Sequence, residues 1–207
     1  MGINQPTVGY RWLQAPSAVD EALSGQLATC WWEVSNAGGA VGFPFLPVDK
    51  ADVEAAVGQL VGSLDPEVRT LLVAVGDEVL LGWLLLERNS TPLTDHWARV
   101  LRLQTALGAR GSGIGRALMT EAARAARDDL GLEQLHIEVR GGQGLEAFYE
   151  SCGWREIGRW PGALRLGPND DRDQVLMFLP LSGRGEAPEE GEKRHRRVDG
   201  HRAYDLP

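Results

Sequence analysis

A glycine-rich segment at residues 110–118 constrains this chain more than any other feature of its sequence. Gly111, Gly113 and Gly115 occupy alternate positions between a strand-like run and a helix-like run. Glycine at this spacing lets backbone N–H groups converge on one point without obstruction from side chains. The helix that follows directs the partial positive charge of its N-terminus at the same point. The segment therefore predicts a site for the phosphate groups of a ligand.

Two well-known phosphate-binding motifs do not match this segment. A P-loop ends in Gly-Lys-Ser/Thr, whereas Gly115 is followed by Arg116 and Ala117. A dinucleotide-binding fingerprint requires a third glycine at the position of Arg116. The sequence excludes both motifs.

Length and composition predict one folded domain followed by a polar tail. The chain has 207 residues, of which 43% are hydrophobic and 24% are charged, as is ordinary for a globular domain. We expect the domain to span residues 1–181. Residues 182–207 contain too few apolar side chains to offset the entropy lost on ordering, so we expect them to be disordered.

The two cysteines and the lengths of the apolar runs indicate the cellular location of the protein and whether it binds a metal or a membrane. Cys30 and Cys152 provide neither a disulfide framework nor a metal-binding spacing. No apolar run approaches the ~20 residues that span a bilayer. We therefore expect a cytoplasmic protein that binds no metal and no membrane.

The formal net charge of −8 is carried entirely by the predicted domain. The tail contains six basic and six acidic residues, which leaves 15 basic against 23 acidic residues before it. An acidic domain disfavours nucleic acid as a partner and favours small cationic substrates.

Hydrophobic periodicity and turn residues predict an α/β sandwich around a mixed sheet. The predicted strands are 7–14, 68–75, 79–88, 97–107, 135–139, 154–160 and 174–181, and the predicted helices are 16–35, 48–64, 113–130 and 144–152.

Two motifs, in this order, carry a resemblance to a known family. Arg110, Gly113 and Gly115 satisfy the pattern Arg/Gln-x-x-Gly-x-Gly/Ala. Residues 147–154 have the form of a helix that ends in Tyr-x-x-x-Gly-aromatic. Together they resemble the GNAT superfamily of acyl-CoA-dependent N-acetyltransferases. The resemblance implies a mixed, mostly antiparallel central sheet of six to seven strands flanked by about four helices.

A narrower similarity points to the tabtoxin-resistance acetyltransferase branch of that superfamily. It rests on residues 38–43, 145–149 and 160–162. One position departs from the wider superfamily, because Gly142 stands where many members carry asparagine. Gln143 is a candidate substitute for that asparagine.

The resemblance implies acetyl-CoA as cosubstrate and assigns residues to it. Main-chain groups of β-strand residues Leu103, Gln104 and Thr105 would bind the pantetheine arm, and the Leu103 N–H would polarise the thioester carbonyl. The residues that would surround the pyrophosphate are Arg110, Gly111, Ser112, Gly113, Ile114, Gly115 and Arg116.

Tyr149 takes the position at which family members protonate the departing thiolate. The alternative is a packed aromatic side chain whose hydroxyl has a structural partner. The general base cannot be identified from sequence. Glu33, Glu87, Asp95 and His96 are candidates by position, and each is also explained as a surface charge.

Trp31, Trp32, Phe43 and Phe45 flank the Gly/Pro-rich segment between the first two helices. They predict either a hydrophobic lid over the acceptor site or core residues of the first helix, and both alternatives stay open.

The resemblance therefore implies an acetyl-CoA-dependent N-acetyltransferase, monomeric or homodimeric, that acts by direct attack in a ternary complex. Its expected acceptor is a primary amine of a small molecule, with antibiotics and toxins among the candidates. The alternatives are acetylation of a protein or peptide amine, and a non-catalytic acyl-CoA-binding sensor.

Overall fold

A computed structural model describes residues 8–39, 42–43 and 45–181. Within these ranges the chain forms seven strands and four α-helices. The strands are β1 Gly9–Leu13, β2 Arg69–Gly76, β3 Val79–Arg88, β4 Trp97–Thr105, β5 Gln134–Arg140, β6 Arg155–Gly167 and β7 Asp170–Pro180. The helices are α1 Glu21–Asn36, α2 Lys50–Gly62, α3 Ile114–Asp128 and α4 Leu145–Glu150.

All seven strands belong to one sheet in the order β1-β2-β3-β4-β5-β7-β6. Every neighbouring pair is antiparallel except β4 and β5, which are parallel. The predicted α/β fold, with its mostly antiparallel sheet and four helices, is confirmed.

The sheet separates two hydrophobic cores, because successive side chains of a strand point to opposite faces. On β2, Leu72 and Ala74 join the core beneath α3 and α4, whereas Leu71 and Val73 join the core beneath α1 and α2. Burial on both faces explains why the β2–β3 hairpin reads as a nearly continuous apolar run.

The first helix begins later than predicted. Residues Pro16–Ala18 form a separate 3-10 turn, and α1 starts at Glu21. Its N-cap is Asp20, whose carboxylate accepts a hydrogen bond from the Leu23 N–H at 2.7 Å. An N-cap aspartate satisfies one of the donors that the first turn leaves unpaired, and this outweighs the proline signal four residues earlier.

The last two strands are longer than predicted and form an antiparallel hairpin. β6 extends to Gly167 and β7 begins at Asp170, whereas the predicted strands stop at residue 160 and start at residue 174. Arg165 pairs with Asp171 across the extension at 2.8 Å. Pro161 and Gly162 interrupt the pattern at the start of the β6 extension, and the β7 extension consists of the charged residues 170–173, so neither shows an apolar pattern of strand length.

Some sequence expectations lie outside the described residues. They include the polar tail at 182–207 and Ala40 and Val41 of the segment similar to the tabtoxin-resistance branch. Among the helices that the structure does describe, none combines the length and apolar character needed to span a membrane.

Candidate active site

A cleft opens where β4 and β5 separate. Their parallel pairing extends only from Trp97–Gln134 to Arg99–His136. Beyond these pairs both strands continue without pairing. β4 contains a bulge here, because Leu101 pairs with Leu85 of β3 and Gln104 pairs with Trp83, which leaves one extra residue on β4. The bulge helps β4 to diverge from β5. The resulting cleft has a volume of about 1060 Å³ and lies between the two strands, the glycine-rich loop, α4 and the α1–α2 connection.

The glycine-rich loop forms one end of this cleft. Gly111 and Gly113 have φ angles of +77° and +88°, in the left-handed region that favours glycine. Gly113 is the N-cap of α3 and provides no side-chain cap, so the first N–H groups of the helix have no partner within it. This arrangement suits an anion at the start of α3.

Not every predicted phosphate-binding amide is available. The Arg110 N–H donates to the Leu107 carbonyl at 3.3 Å, and the Ser112 N–H donates to the Ala109 carbonyl at 3.4 Å. The Ser112 hydroxyl donates to the same Ala109 carbonyl at 2.6 Å. These bonds shape the loop, and Ser112 does not line the cleft among the residues that the structure describes. Within the part of the chain that the structure describes, the amides that remain for an anion are those of Gly111, Gly113, Ile114, Gly115 and Arg116.

Gly115 has a second role, which is close packing of α3. A Cβ atom at this position would lie 3.3 Å from Thr105 Oγ1 and 3.4 Å from Phe148 Cζ. Arg116, the next residue, donates to the Ser151 carbonyl at 2.6 Å and to its hydroxyl at 2.8 Å. The N-terminus of α3 is thereby tied to β4 on one side and to the end of α4 on the other.

The three predicted β4 residues lie along the wall of the cleft. Leu103 and Thr105 are half-buried, on the edge of β4 that β5 leaves unpaired. Gln104 is 2% exposed, and neither its Oε1 nor its Nε2 atom has a hydrogen-bond partner among the described residues. Burying an amide without hydrogen-bond partners lowers the free energy of unfolding, so Gln104 is an unfavourable residue in this wall of the cleft.

Tyr149 lines the same cleft from α4. Its side chain is 7% exposed and lies edge-on against Phe148 and Trp154, with ring centroids 5.1 and 6.1 Å away. Burial, with a smaller contribution from Cys152, raises the pKa of Tyr149 well above its ordinary value. The phenol therefore stays protonated at any physiological pH. Its position agrees both with the predicted acid and with the packed aromatic alternative.

Comparisons with known proteins agree with this geometry. A family model described as the Acetyltransferase (GNAT) family matches residues 19–154. The chain belongs to this family. It is accordingly a GNAT acetyltransferase.

Solved structures with the same fold share little sequence with this GNAT protein. The yncA protein of Salmonella typhimurium, solved with its cofactor acetyl-CoA, is 17% identical, with 89% of this chain and 99% of that chain covered and a TM-score of 0.63. The ribosomal-protein-S18-alanine N-acetyltransferase of Escherichia coli is 16% identical (88% and 99% covered, TM-score 0.63). An aminoglycoside 6'-N-acetyltransferase complexed with coenzyme A is 15% identical (81% and 95% covered, TM-score 0.60). At these identities the likeness shows the fold alone.

None of the four candidate bases lines the cleft among the described residues. Asp95 and His96 precede β4, at the end of the strand opposite the glycine-rich loop. Glu33 lies on the exposed side of α1.

Glu87, the fourth candidate, is held in an ion-pair cluster with Arg69 and Arg99. Burial alone would raise the pKa of Glu87, but the hydrogen bonds from both arginines outweigh it and lower that pKa. Its carboxylate on β3 pairs with an arginine on β2 and with another on β4, so Glu87 stabilises the sheet. The position-based prediction of a base at these four residues is therefore not supported by the geometry.

The sequence reading missed Glu138, which contributes the one carboxylate in the lining of the cleft, as far as the described residues go. Glu138 lies on β5 between the buried residues Ile137 and Val139 and is itself exposed. Its carboxylate accepts a hydrogen bond from the Gln174 side chain. The alternation of these three residues along the strand was a signal that could have found it.

The aromatic residues near the α1–α2 connection divide between core and surface. Trp31 is buried against Phe43 and Trp83, at centroid distances of 5.2 and 5.5 Å. Trp32 donates to the Val48 carbonyl at 3.0 Å. Phe45 is 63% exposed. The tryptophans are thus packing residues of α1, as the simpler of the two alternatives predicts.

Gln143 connects two sides of the cleft. Its side-chain amide donates to the Gly38 carbonyl at 3.1 Å, so the β5–α4 loop is joined to the end of α1. This bond occupies the amide that the sequence offers in place of the missing asparagine. Gly142, at the asparagine position, has a φ angle of +79°, which suits glycine.

Proposed function

We propose that this GNAT enzyme transfers the acetyl group of acetyl-CoA to a primary amine of a small molecule by direct attack in a ternary complex. The observation that carries the proposal is the cleft between β4 and β5, which contains the phosphate-type loop, an unpaired strand edge, a protonated phenol and a carboxylate. The hydrogen bond from the Gln143 side chain to the Gly38 carbonyl crosses the cleft beside α1, which favours a small acceptor over an extended peptide.

The residues at the loop fit the phosphates of the donor. The amides at the start of α3 supply hydrogen-bond donors, and the Arg110 and Arg116 side chains supply positive charge. The unpaired edge at Leu103 and Thr105 can pair with the amide groups of the pantetheine arm, as an added strand would.

Leu103 and Tyr149 then have complementary tasks at the thioester. The Leu103 N–H donates to the thioester carbonyl oxygen and stabilises the negative charge that develops there as the amine attacks. The departing group is a thiolate, whose conjugate thiol has an ordinary pKa of about 8.5. Tyr149 donates its proton to that sulfur as the carbon–sulfur bond breaks.

Glu138 is the residue we infer as the general base. An ammonium group must lose a proton before its nitrogen can attack, and a carboxylate in the same cleft can accept that proton directly or through one water molecule. Gln104 cannot take this role, because an amide has no useful basicity.

The test combines coenzyme binding with a screen of amines. Calorimetry of the purified chain should detect acetyl-CoA binding, and Gly113→Glu should abolish it by placing a strained, negatively charged residue at the phosphates. CoA release should then be measured over a library of primary amines that includes antibiotics and toxins, because of the similarity to the tabtoxin-resistance branch.

Tyr149→Phe should lower kcat by about 100-fold or more while acetyl-CoA binding is kept. Tyr10→Phe, on β1 and partly exposed, is the matched control and should change neither quantity. Failure to bind acetyl-CoA would refute the proposal. Binding without turnover of any small amine would instead favour a sensor or an enzyme that acetylates proteins or peptides. A cytoplasmic location and a monomeric or homodimeric state belong to the same proposal.

A further inference from the structure

A second, smaller cavity adjoins the cleft. Its volume is about 170 Å³. The residues that line both spaces are Val100, Leu101, Ile137 and Glu138. The cavity therefore meets the cleft at the point where β4 and β5 separate. None of the contacts proposed above for acetyl-CoA uses this space.

The cavity lies on the face of the sheet that α1 and α2 cover in part. Trp97, Arg99 and Leu101 alternate along β4 and so share one face, and Leu101 packs against the core beneath α1 and α2. Arg99 pairs with His136 of β5, so His136 and Glu138 lie on the same face. No described residue of β5, β6 or β7 belongs to that core. The two helices thus leave this part of the face to the cavity.

The walls of the cavity are largely aromatic and aliphatic. The rings of Trp97 and His136 lie side by side, with their centroids 4.5 Å apart. Ile157 of β6 and Leu176 of β7 supply aliphatic groups. Burial, with a smaller contribution from His96, lowers the pKa of His136, so its ring is uncharged at neutral pH. Such walls suit an apolar group, and an aromatic ring in particular.

The charges at the cavity favour a cation where it meets the cleft. Arg99 and Glu138 are the charged residues in its lining, as far as the described residues go. The guanidinium of Arg99 is paired with Glu87. The carboxylate of Glu138 instead accepts a hydrogen bond from the uncharged amide of Gln174, which leaves its negative charge for a ligand. An ammonium group can therefore lie beside Glu138 while the group that it carries enters the cavity.

The volume of the cavity limits the size of that group. An apolar protein cavity of about 150 Å³ holds one molecule of benzene. The cavity beside Trp97 has about 170 Å³ and is therefore sized for a single six-membered ring or a branched alkyl group of similar bulk.

We propose that the acceptor is a monoamine with one apolar substituent about the size of a benzene ring, that this substituent occupies the cavity between Trp97 and Leu176, and that the amine lies beside Glu138. The inference rests on the proposed function and specifies its substrate class. Polyamines and amino sugars would place charged or hydroxylated groups against apolar walls, where those groups lose their hydrogen bonds to water, so they should be poor acceptors.

The test compares pairs of primary amines that differ by one phenyl ring. The pairs are benzylamine with methylamine, phenethylamine with ethylamine, and 3-phenylpropylamine with propylamine. In the preferred pair kcat/KM should be about 10- to 100-fold higher for the phenyl member, as expected for burying one ring. Calorimetry on the enzyme loaded with CoA, which has no acetyl group to transfer, should show the same ratio in Kd. Putrescine and an aminoglycoside complete the panel.

Two variants of the half-buried Leu176 change the cavity in opposite directions. Leu176→Trp fills it and should reduce the phenyl-to-alkyl ratio to within about threefold of unity. Leu176→Ala enlarges it and should raise kcat/KM for 2-(1-naphthyl)ethylamine relative to phenethylamine by about 10-fold. Acetyl-CoA affinity should stay within about twofold in both. Val79→Trp introduces the same side chain at an exposed position outside the cavity and the cleft, and should leave the ratio unchanged.

The outcomes separate this inference from the function on which it rests. Equal rates within every pair, faster acetylation of putrescine or the aminoglycoside, or ratios that do not change in the two Leu176 variants overturn the inference and leave the proposed function standing. An enzyme that binds acetyl-CoA but acetylates none of the phenyl amines also overturns it, whether or not those amines bind. Failure to bind acetyl-CoA overturns both.

Discussion

Gln104 offers a substitution for which the structure predicts a gain in stability. Its side chain is 2% exposed, and both amide atoms lack a hydrogen-bond partner among the described residues. Methionine has a similar length and volume but no strongly polar atom to desolvate. Gln104→Met should therefore remove a cost without leaving a cavity.

The size of the gain follows from the cost of burying unpaired polar groups. A buried donor or acceptor without a partner costs about 1–3 kcal/mol. The free energy of unfolding should thus rise by about 1–3 kcal/mol in Gln104→Met. For a domain of this size, each kcal/mol corresponds to a rise of roughly 2–4 °C in Tm.

Gln26 provides a control with the same chemical change and the opposite expected sign. Its amide donates to the Glu78 carbonyl at 3.1 Å and accepts from the Leu80 N–H at 2.6 Å, which ties α1 to the β2–β3 hairpin. Gln26→Met should lower the free energy of unfolding by about 1–2 kcal/mol, because both bonds are lost.

Urea unfolding followed by circular dichroism measures both variants against the wild type. The reasoning is refuted if Gln104→Met destabilises the protein as Gln26→Met does, since the Gln104 amide would then have a partner in solution. Acetyl-CoA affinity should be unchanged in Gln104→Met, because the proposed contacts of this residue with the coenzyme are made by the main chain.

Two further predictions concern carboxylates. Glu138→Gln keeps an acceptor for the Gln174 amide but loses basicity, so kcat should fall by about 100-fold or more. The control Glu133→Gln, at an exposed position, should change kcat little. Steady-state rates of Glu138→Gln within threefold of wild type would exclude Glu138 as the base. The pKa of Glu87 is lowered in the folded protein, so its ion pairs contribute stability above the unfolded value of about 4.3, and that contribution is lost as the pH falls through the lower folded value. Glu87→Gln should cost about 1 kcal/mol of unfolding free energy at pH 7, and urea titrations should show this difference shrink as the pH falls below about 4.3. A difference that stays constant from pH 7 to pH 3 would contradict this.

The sequence predicts those elements in which burial or backbone geometry restricts the residue types that can occur. The β2–β3 hairpin was predictable because strands buried on both faces consist almost entirely of apolar residues. The glycine-rich loop was predictable because two of its residues need positive φ angles. The family resemblance rests on the same loop together with the helix that contains Tyr149.

The features that escaped prediction depend on contacts between distant segments. The extension of β6 and β7 begins beyond Pro161 and Gly162 and pairs with the charged residues 170–173, so local sequence does not mark it as a strand. The left-handed backbone of Arg102 arises from a register shift between β3 and β4, which no local pattern reports. Glu138 became a candidate only when β4 and β5 were seen to separate beside it.

The net charge of the chain and the charge of the cleft lining differ in sign among the described residues, and both act on an acceptor. Charges on the surface are screened over about 8–10 Å in physiological salt, so the excess of acidic residues acts weakly on a ligand inside the cleft. A partly desolvated guanidinium in contact with the ligand acts at a few ångströms in a medium of lower dielectric constant, where each interaction is several times stronger. Charged residues that line the cleft therefore act more strongly on an acceptor than the more distant acidic residues do.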